Sequence, residues 1–535
     1  MTDAVATPGT LGAARPAPAR ATPGFDRRRL IAFMSMVFGM FMAILDIQIV
    51  SASLAEIQAG LSASSEEIAW VQTAYLIAEV VMIPLSGFLS RLLSTRWLFT
   101  ASAAGFTLMS LMCAFSSSIE EMILWRALQG FIGGGMIPTV FASAFTIFPR
   151  EKQPIIAPMV GLVATLAPTI GPTVGGYLTD LFSWHWLFLV NLVPGIFVTL
   201  AAWALIDFDE PDLSLFENFD WAGLAGMAVF LGALEYVLEE GPGKGWFDSE
   251  LILITATVSA FGAAVFFVRA FTARQPIVDL GAFLDRNFWT GSLFSFVMGV
   301  GLYGLTYLYP VYLARVRGYS ALMIGETMFV TGICMFTAAP IVGRLMTKVD
   351  PRLMIGVGFF GFAMGTLQAS FITKDWDFWE LLVPQMLRGF SMMVCMVPIN
   401  NLALGTLPPE RIKNASGLYN LTRNLGGAVG LALINSMMND RTDLHLARLH
   451  ERVAWGHEKA EEMLANLTFA MADRGSDAGL AATARLAAIV RREALVWAIG
   501  DVFAALTVLF LALVLLTGLM RRPPARGGGG GGGGH

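Results

Sequence analysis

The sequence predicts an all-α integral membrane protein with fourteen transmembrane helices. Three observations carry this. Only 14% of the 535 residues are charged and 56% are hydrophobic, whereas a soluble chain holds about 25% charged residues. Apolar runs of about 20 residues, enough to cross a hydrocarbon core, recur along the chain. Lys and Arg gather on one side of those runs. The net charge of -5 says little about partners.

Residues 1–29, rich in Ala, Pro, Thr and Gly, read as a disordered cytoplasmic tail. No short apolar stretch with a cleavage site precedes the first run, so no signal peptide is expected. Runs at 30–52, 68–90, 97–116, 121–147, 154–179 and 185–205 make an N-terminal six-helix bundle, 30–205. Runs at 221–239 and 250–270 form two extra helices within 206–287. Runs at 288–313, 321–346, 353–372, 378–405, 412–437 and 494–520 make a C-terminal six-helix bundle, 288–520. Before the last run, 439–492 is polar and reads as a long outer loop. Its stretch HLARLHERVAWGHEKAEEMLANL has near-helical apolar spacing and predicts a short helix at the membrane surface. Residues 521–535 are a cytoplasmic tail with a low-complexity Gly-rich end.

With the N-terminus inside, the short inside segments hold eighteen Lys and Arg and the short outside loops four. This places both termini in the cytoplasm. The inside loop DFDEPDLSLFENFD is acidic, and acidic residues contribute little to the rule.

PLSGFLSR at 84–91 matches PIVGRLMT at 340–347, and LQGF at 128–131 matches LRGF at 387–390. The offsets are 256 and 259 residues. Near-equal offsets indicate a parallel duplication, with six helices, two extra helices, then six more. Transporters built this way hold substrate near the midplane between the halves.

A charge at the bilayer centre costs about 2.5–3.5 kcal/mol on insertion scales. Asp46, Glu79 and Arg126 are therefore candidates. Asp46 and Glu79 can carry protons, and Arg126 is a fixed cation able to tune a carboxylate. Structural roles, as hydrogen-bonding groups between helices, are the alternative for each. Glu235, Glu326, Arg388 and Arg423 read mainly as structural or interfacial. Tyr303 and Tyr307, one turn apart, with Asn420, Arg423 and Asn424, form a candidate substrate surface; an aromatic belt explains the tyrosines equally well.

Cys113, Cys334 and Cys395 lie in apolar runs and read as packing residues. A membrane enzyme would need a clustered site. Of the five histidines, His445, His450 and His457 share the outer loop at a spacing that matches no metal motif. No nucleotide-binding motif occurs.

WRALQGFIGGGMIP, with Arg126, Gln129 and Gly130, resembles the R-x-x-Q-G-x-G signature of the major facilitator superfamily. GLVATLAPTIGPTVGG resembles the signature of its proton-driven drug antiporters, and LDIQIVSASLAEI their first-helix motif. WHWLFLVNLVPG and PIVDLGAFLDRNF resemble the fourteen-helix branch, of the EmrB multidrug export type. The resemblance covers about 30–520. It implies the major facilitator fold and a proton-coupled exporter of drugs or toxic amphipathic compounds, in a bacterial inner membrane. It implies Gln129 among the substrate contacts, no cofactor beyond a proton gradient, and a periplasmic adaptor and outer-membrane channel as partners. Export of one natural metabolite stays open. One departure is GFLSRLLSTR, where Arg91 and Ser94 replace the Asp and Gly of the usual motif. The Asp-based latch is absent, and Arg91 and Arg96 are expected to meet another acid or a helix C-terminus.

APTIGPTVGG concentrates helix breakers in an apolar run. Pro168 and Pro172 each remove a backbone hydrogen bond and kink a helix. Gly171 and Gly175, beside Gly176, give a small-residue face for close helix approach. The resemblance implies a bent seam sealing the outer half; tight packing is the alternative.

Overall fold

The computed structural model describes residues 27–149, 152–453, 458–471 and 477–520. The expectations for 1–26, 521–535 and the segments 454–457 and 472–476 lie outside the described residues. The regular structure is helical. In the first half run α1 (Arg27–Ala52), α2 (Leu54–Leu61), α3 (Ser65–Leu92), α4 (Thr95–Ala114), α5 (Ile119–Gly133), α6 (Met136–Thr146), α7 (Gln153–Leu181), α8 (Trp186–Leu189) and α9 (Leu192–Leu205). The extra pair is α10 (Trp221–Glu240) and α11 (Glu250–Thr272). The second half holds α12 (Arg286–Tyr312), α13 (Ala321–Leu345), α14 (Pro351–Ala369), α15 (Phe378–Gly405), α16 (Pro409–Val453), α17 (Glu458–Ala470) and α18 (Ala478–Leu516).

Thirteen stretches among the described residues are helical, long and apolar enough to cross a membrane. The fourteenth expected run lies in α16, which falls short of that standard of hydropathy. α16 packs on α12, α18, α3, α6 and α10, so a helix so enclosed meets protein more than lipid. Three local differences from the sequence reading have plain causes. Arg27 to Arg29 already belong to α1 rather than to a tail. The fourth crossing breaks into α5 and α6 at Gly134 and Gly135, where successive glycines weaken helix propensity. The segment 439–492 is not a loop for most of its length, because α16 runs on to Val453 and α18 starts at Ala478. The near-helical spacing noted there extends the spans themselves; α17 is the separate short helix.

Helix starts are written in the sequence. Ser64 and Glu67 form a reciprocal cap on α3, as Asp377 and Glu380 do on α15. Duplication is visible in the packing. A Cβ on Gly130 of α5 would meet the Tyr75 carbonyl oxygen of α3 at 2.3 Å, and one on Gly389 of α15 would meet the Thr331 carbonyl oxygen of α13 at 2.4 Å. Those pairs stand at offsets of 259 and 256 residues, the offsets of the sequence repeat. Only glycine permits either approach.

The extra pair lies against one flank. α10 packs on α3 and α16, and α11 packs on α10. Trp70 of α3 stacks on Tyr236 of α10 with centroids 5.4 Å apart. Asp220 caps α10 through the Gly223 N–H and pairs with Arg269 of α11 at 2.7 Å.

Two seams join the halves. Near Arg91 and Lys413, on what we call the basic side, α3 meets α16. A Cβ on Gly87 would stand 2.9 Å from the Asn414 Cα, and the Ser416 hydroxyl donates to the Pro138 carbonyl at 3.0 Å. On the far side α7 meets α13, where a Cβ on Gly325 would stand 2.2 Å from the Thr173 hydroxyl. The acidic loop straps the basic-side seam. Asp209 accepts from the Thr95 N–H at 3.0 Å, capping α4, and pairs with Lys413 of α16. Lys413 also donates to the Ser90 carbonyl at 3.1 Å. Ser94, standing where the resembled motif has glycine, holds φ at 75°, a strained value for a residue with a side chain. The anchor on its neighbour Thr95 holds that turn. Asp209→Ala removes both cap and ion pair and is expected to lower stability by about 1–2 kcal/mol, with Lys413→Ala losing less. Thermal melts in detergent check this; equal midpoints for Asp209→Ala and wild type would remove the strap.

Candidate functional site

The centre of the first half is a buried polar network. Asp46 of α1 is fully buried, and so is Arg126 of α5. Arg126 Nη1 donates to Asp46 Oδ2 at 2.7 Å. Asn191, just ahead of α9, donates through Nδ2 to Asp46 Oδ1 at 2.6 Å and to the Ser110 hydroxyl of α4 at 3.1 Å. Ser110 in turn donates to the Phe188 carbonyl at 3.0 Å. Arg126 also donates to Gln129 Oε1 at 2.8 Å and, through Nε, to the Val71 carbonyl at 3.3 Å. Its guanidinium carbon lies 4.2 Å from the Tyr75 ring centroid. The Gly130 contact draws α5 onto α3 and sets this stacking.

Both oxygens of Asp46 are thus satisfied by charged or amide donors. Burying such a pair rarely adds net stability, because desolvation offsets the Coulomb gain. The arrangement instead demands position: α1, α3, α4, α5, α8 and the start of α9 must be in register at once. It can carry a proton on one oxygen acid while holding a permanent cation beside it.

Glu79 stands one turn beyond Tyr75 on α3, outside this network. It is 3% exposed and lines a cavity with Ile47, Tyr303, Asn424 and Glu235. Tyr307 is not among that cavity's lining residues. Gln129, expected at a substrate surface, is fully buried and tied to Arg126. Asn420 donates to the Ser416 carbonyl at 2.8 Å and accepts from Arg423 at 2.5 Å. The Arg423 guanidinium lies 5.0 Å from the Phe141 ring centroid. Arg388 donates to the Thr306 hydroxyl at 2.6 Å, and Glu326 is exposed. Cys113 and Cys395 are buried and all three cysteines are free.

At the Arg126 position charge stands in the first half only, and in the second half a buried charge, Arg388, stands at the position matching Gln129. At the offset that relates Gly130 to Gly389, the counterpart of Arg126 is Gln385. Gln385 meets Thr331, at the position matching Tyr75, in a neutral hydrogen bond.

α7 stays helical through Pro168 and Pro172. The Thr165 and Thr169 hydroxyls bond back to the Gly161 and Thr165 carbonyls at 2.8 and 2.9 Å. Gly171 and Gly175 face α1: Cβ atoms there would meet Gln48 Cβ at 2.3 Å and the Ile49 carbonyl oxygen at 2.9 Å. Gly176 is buried. The glycine face therefore packs within its own half, and α7 meets α13 through Leu166, Thr169 and Thr173. Arg91 and Arg96 form no ion pair among the described residues. Their guanidinium carbons lie 5.6 Å from the Phe88 ring and 4.6 Å from the Trp203 ring. The acid at this seam is Asp209.

Sequence reading missed Asn191, Ser110, Tyr75 and Asp209. Asn191 left a signal, as a lone amide in the apolar stretch WHWLFLVNLVPG. Ser110 and Tyr75 left none, since hydroxyl residues are common in such runs. Asp209 lay in a loop set aside as merely acidic.

A sequence profile of the Major Facilitator Superfamily matches residues 36–431. The chain is 42% identical over 492 residues to the "Colistin resistance protein EmrB" of Acinetobacter baumannii, covering 92% of this chain and 96% of that one. It is 30% identical over 439 residues to the "Multidrug export protein EmrB" of Escherichia coli, covering 82% and 86%. In fold it is similar to the crystal structure of the human organic anion transporter MFSD10 (TETRAN), at a TM-score of 0.57 and 13% identity, over 91% of this chain and all of that one.

If the charge pair is coupled, Asp46→Ala strands a buried cation and lowers stability by about 3–5 kcal/mol. Removing both charges, as Asp46→Ala with Arg126→Leu, is expected to recover part of that loss. Unfolding in a denaturant series measures it; a double variant no more stable than Asp46→Ala would show the two charges to be uncoupled.

Proposed function

The chain belongs to the major facilitator superfamily, and from that premise we propose that it exports drugs and other toxic amphipathic compounds from the cytoplasm in exchange for protons. It is a multi-pass membrane transporter and not an enzyme. Asp46 is the coupling carboxylate, and Arg126 its fixed counter-charge. The observation that supports this reading is the fully buried Asp46–Arg126–Asn191 network. A proton arriving on Asp46 cancels the carboxylate charge and weakens its hold on Arg126 and Asn191. That frees α1, α5 and the start of α9 to shift against one another. Loss of the proton restores the pair. The membrane potential adds about 2.3 kcal/mol per charge per 100 mV.

The α3–α16 seam with Asp209 and Lys413, and the α7–α13 seam with Thr173 and Gly325, are the two gates. Opening one while the other stays packed gives alternating access. Tyr307 and Arg423 face the substrate path, while Tyr303 borders the small cavity beside Glu79. The first compounds to try follow the relatives: colistin from one name, drugs of several classes from the other. The protein sits in the bacterial inner membrane with both termini in the cytoplasm, so the far side faces the periplasm.

An adaptor docks on the periplasmic excursion formed by the end of α16, α17 and the start of α18. No described residue of α17 is buried, and Phe469 and Leu480 are 85% and 77% exposed.

Two experiments test these readings. In liposomes with an imposed pH gradient, ethidium or colistin is expected to trigger proton flux in wild type and none in Asp46→Asn; unchanged flux in the variant would move coupling away from Asp46. Replacing 458–470 with a short linker is expected to leave liposome transport intact and abolish efflux from cells. Intact efflux from cells would sink the adaptor site.

A further inference from the structure

The extra helix pair is the part of the molecule that the coupling mechanism above does not use. Yet α10 brings two carboxylates to the flank of α3. Glu235 is 6% exposed, and Glu239, one turn on, is exposed. Both line the cavity that Glu79 lines, together with Leu76, Tyr303 and Asn424. The register is fixed by the Trp70–Tyr236 stack and by Gly232, whose Cβ would stand 3.3 Å from Ile77. α3 runs inward from the far side and α10 runs outward. Glu79 therefore lies halfway along α3, Glu235 beyond it toward the far side, and Glu239 next to the end of α10.

Two further facts say what the cavity holds. Glu79 and Glu235 are each more than nine-tenths buried, yet neither makes a hydrogen bond or ion pair with a described residue. Their carboxylates border open space instead. That space is about 50 Å³, enough for one or two waters, while drug-sized ligands need about 300 Å³ or more. Size excludes a drug and admits protons on water.

From this geometry we infer that the extra pair builds a proton route from the far side: Glu239 at the mouth, Glu235 within, and Glu79 at the end. The inference rests on the proton-coupled reading above and names the path by which protons reach Glu79, beside the Asp46–Arg126 pair. Each step breaks one O–H bond and forms another, from a carboxyl through water to the next carboxylate, with no oxidation. Other charged and titratable groups bear on the path. Tyr303 of α12 borders the cavity, Arg423 of α16 lies beside it, and the Asp46–Arg126 pair stands behind Glu79. At the mouth, Lys244 pairs with Glu240 at 3.1 Å and donates to the Tyr236 hydroxyl at 3.0 Å.

The test uses the full chain in liposomes, with two readouts. Infrared difference spectra against Glu79→Gln identify the Glu79 carboxyl band at acidic pH, and its deuteration is timed after transfer to D2O. Glu235→Gln is expected to slow deuteration about tenfold or more, and Glu239→Gln by less. Ala428→Leu fills the cavity while leaving every carboxylate in place, and it is expected to slow deuteration as well; it decides the matter should Glu235→Gln not fold. A rate equal to wild type in either folded variant overturns the route. The second readout is ethidium accumulation driven by a pH gradient, expected to fall in proportion in the same variants. A wild type that moves no ethidium counts against the exporter reading for that dye, while the deuteration rates still decide the route.

Discussion

The buried pair of Asp46 and Arg126 sets the terms for the first half of the molecule. A guanidinium cannot shed its proton, so its charge must be met wherever it goes. In a lipid-enclosed bundle the partners must come from the protein itself. Arg126 therefore draws an acid from α1, a carbonyl and an aromatic face from α3, and an amide from its own helix. Asn191 then completes Asp46 and ties in α4. No pair of these helices can slide without leaving a polar group unmet, which costs about 1–3 kcal/mol per group and more for a charge. The network is thus sensitive to one event above all, a change in charge on Asp46.

Small residues make that network reachable. Arg126 lies over Tyr75 because Gly130 lets α5 touch the α3 backbone. The second half keeps the same contact at Gly389 and Thr331 but places Gln385 where Arg126 would stand. Packing survived duplication, while the buried cation moved one turn, to Arg388 at the position of Gln129. A neutral glutamine–threonine bond gives a rigid partner surface that no proton can switch. In the reading proposed above the switching carboxylate lies in the first half, whereas Arg388 in the second meets a hydroxyl rather than an acid.

The seams follow a similar logic of substitution. The loop between α3 and α4 lacks the acid that motifs of this kind carry, and it holds a strained serine in place of glycine. The missing carboxylate is supplied from far along the chain, by Asp209. It sits at the positive end of α4 and reaches Lys413 across the seam. One side chain thus ends a helix, steadies a strained turn and joins the halves. On the far side the contact is made by hydroxyls, glycines and apolar side chains without a charge, so the two seams differ in kind: one electrostatic, one steric.

Composition and spacing alone settled the membrane setting, the helix count to within one crossing, the duplication, and the candidacy of Asp46, Glu79 and Arg126. Hydrophobic length and the cost of charge in lipid leave little choice at that level. The sequence also marked the breakers of α7, though not which neighbour its glycines face. Direction around a helix depends on packing, and both faces of α7 meet protein. Partners lay beyond reach for a related reason. Asp46 and Arg126 are far apart in the chain, and so are Asp209 and Lys413. Nothing local says that an acidic loop will fold back onto a helix start, or that an asparagine in an apolar run will point at one carboxylate. Those pairings exist only where the helices cross, and the crossings are decided by the shapes of glycines and aromatic rings packed together.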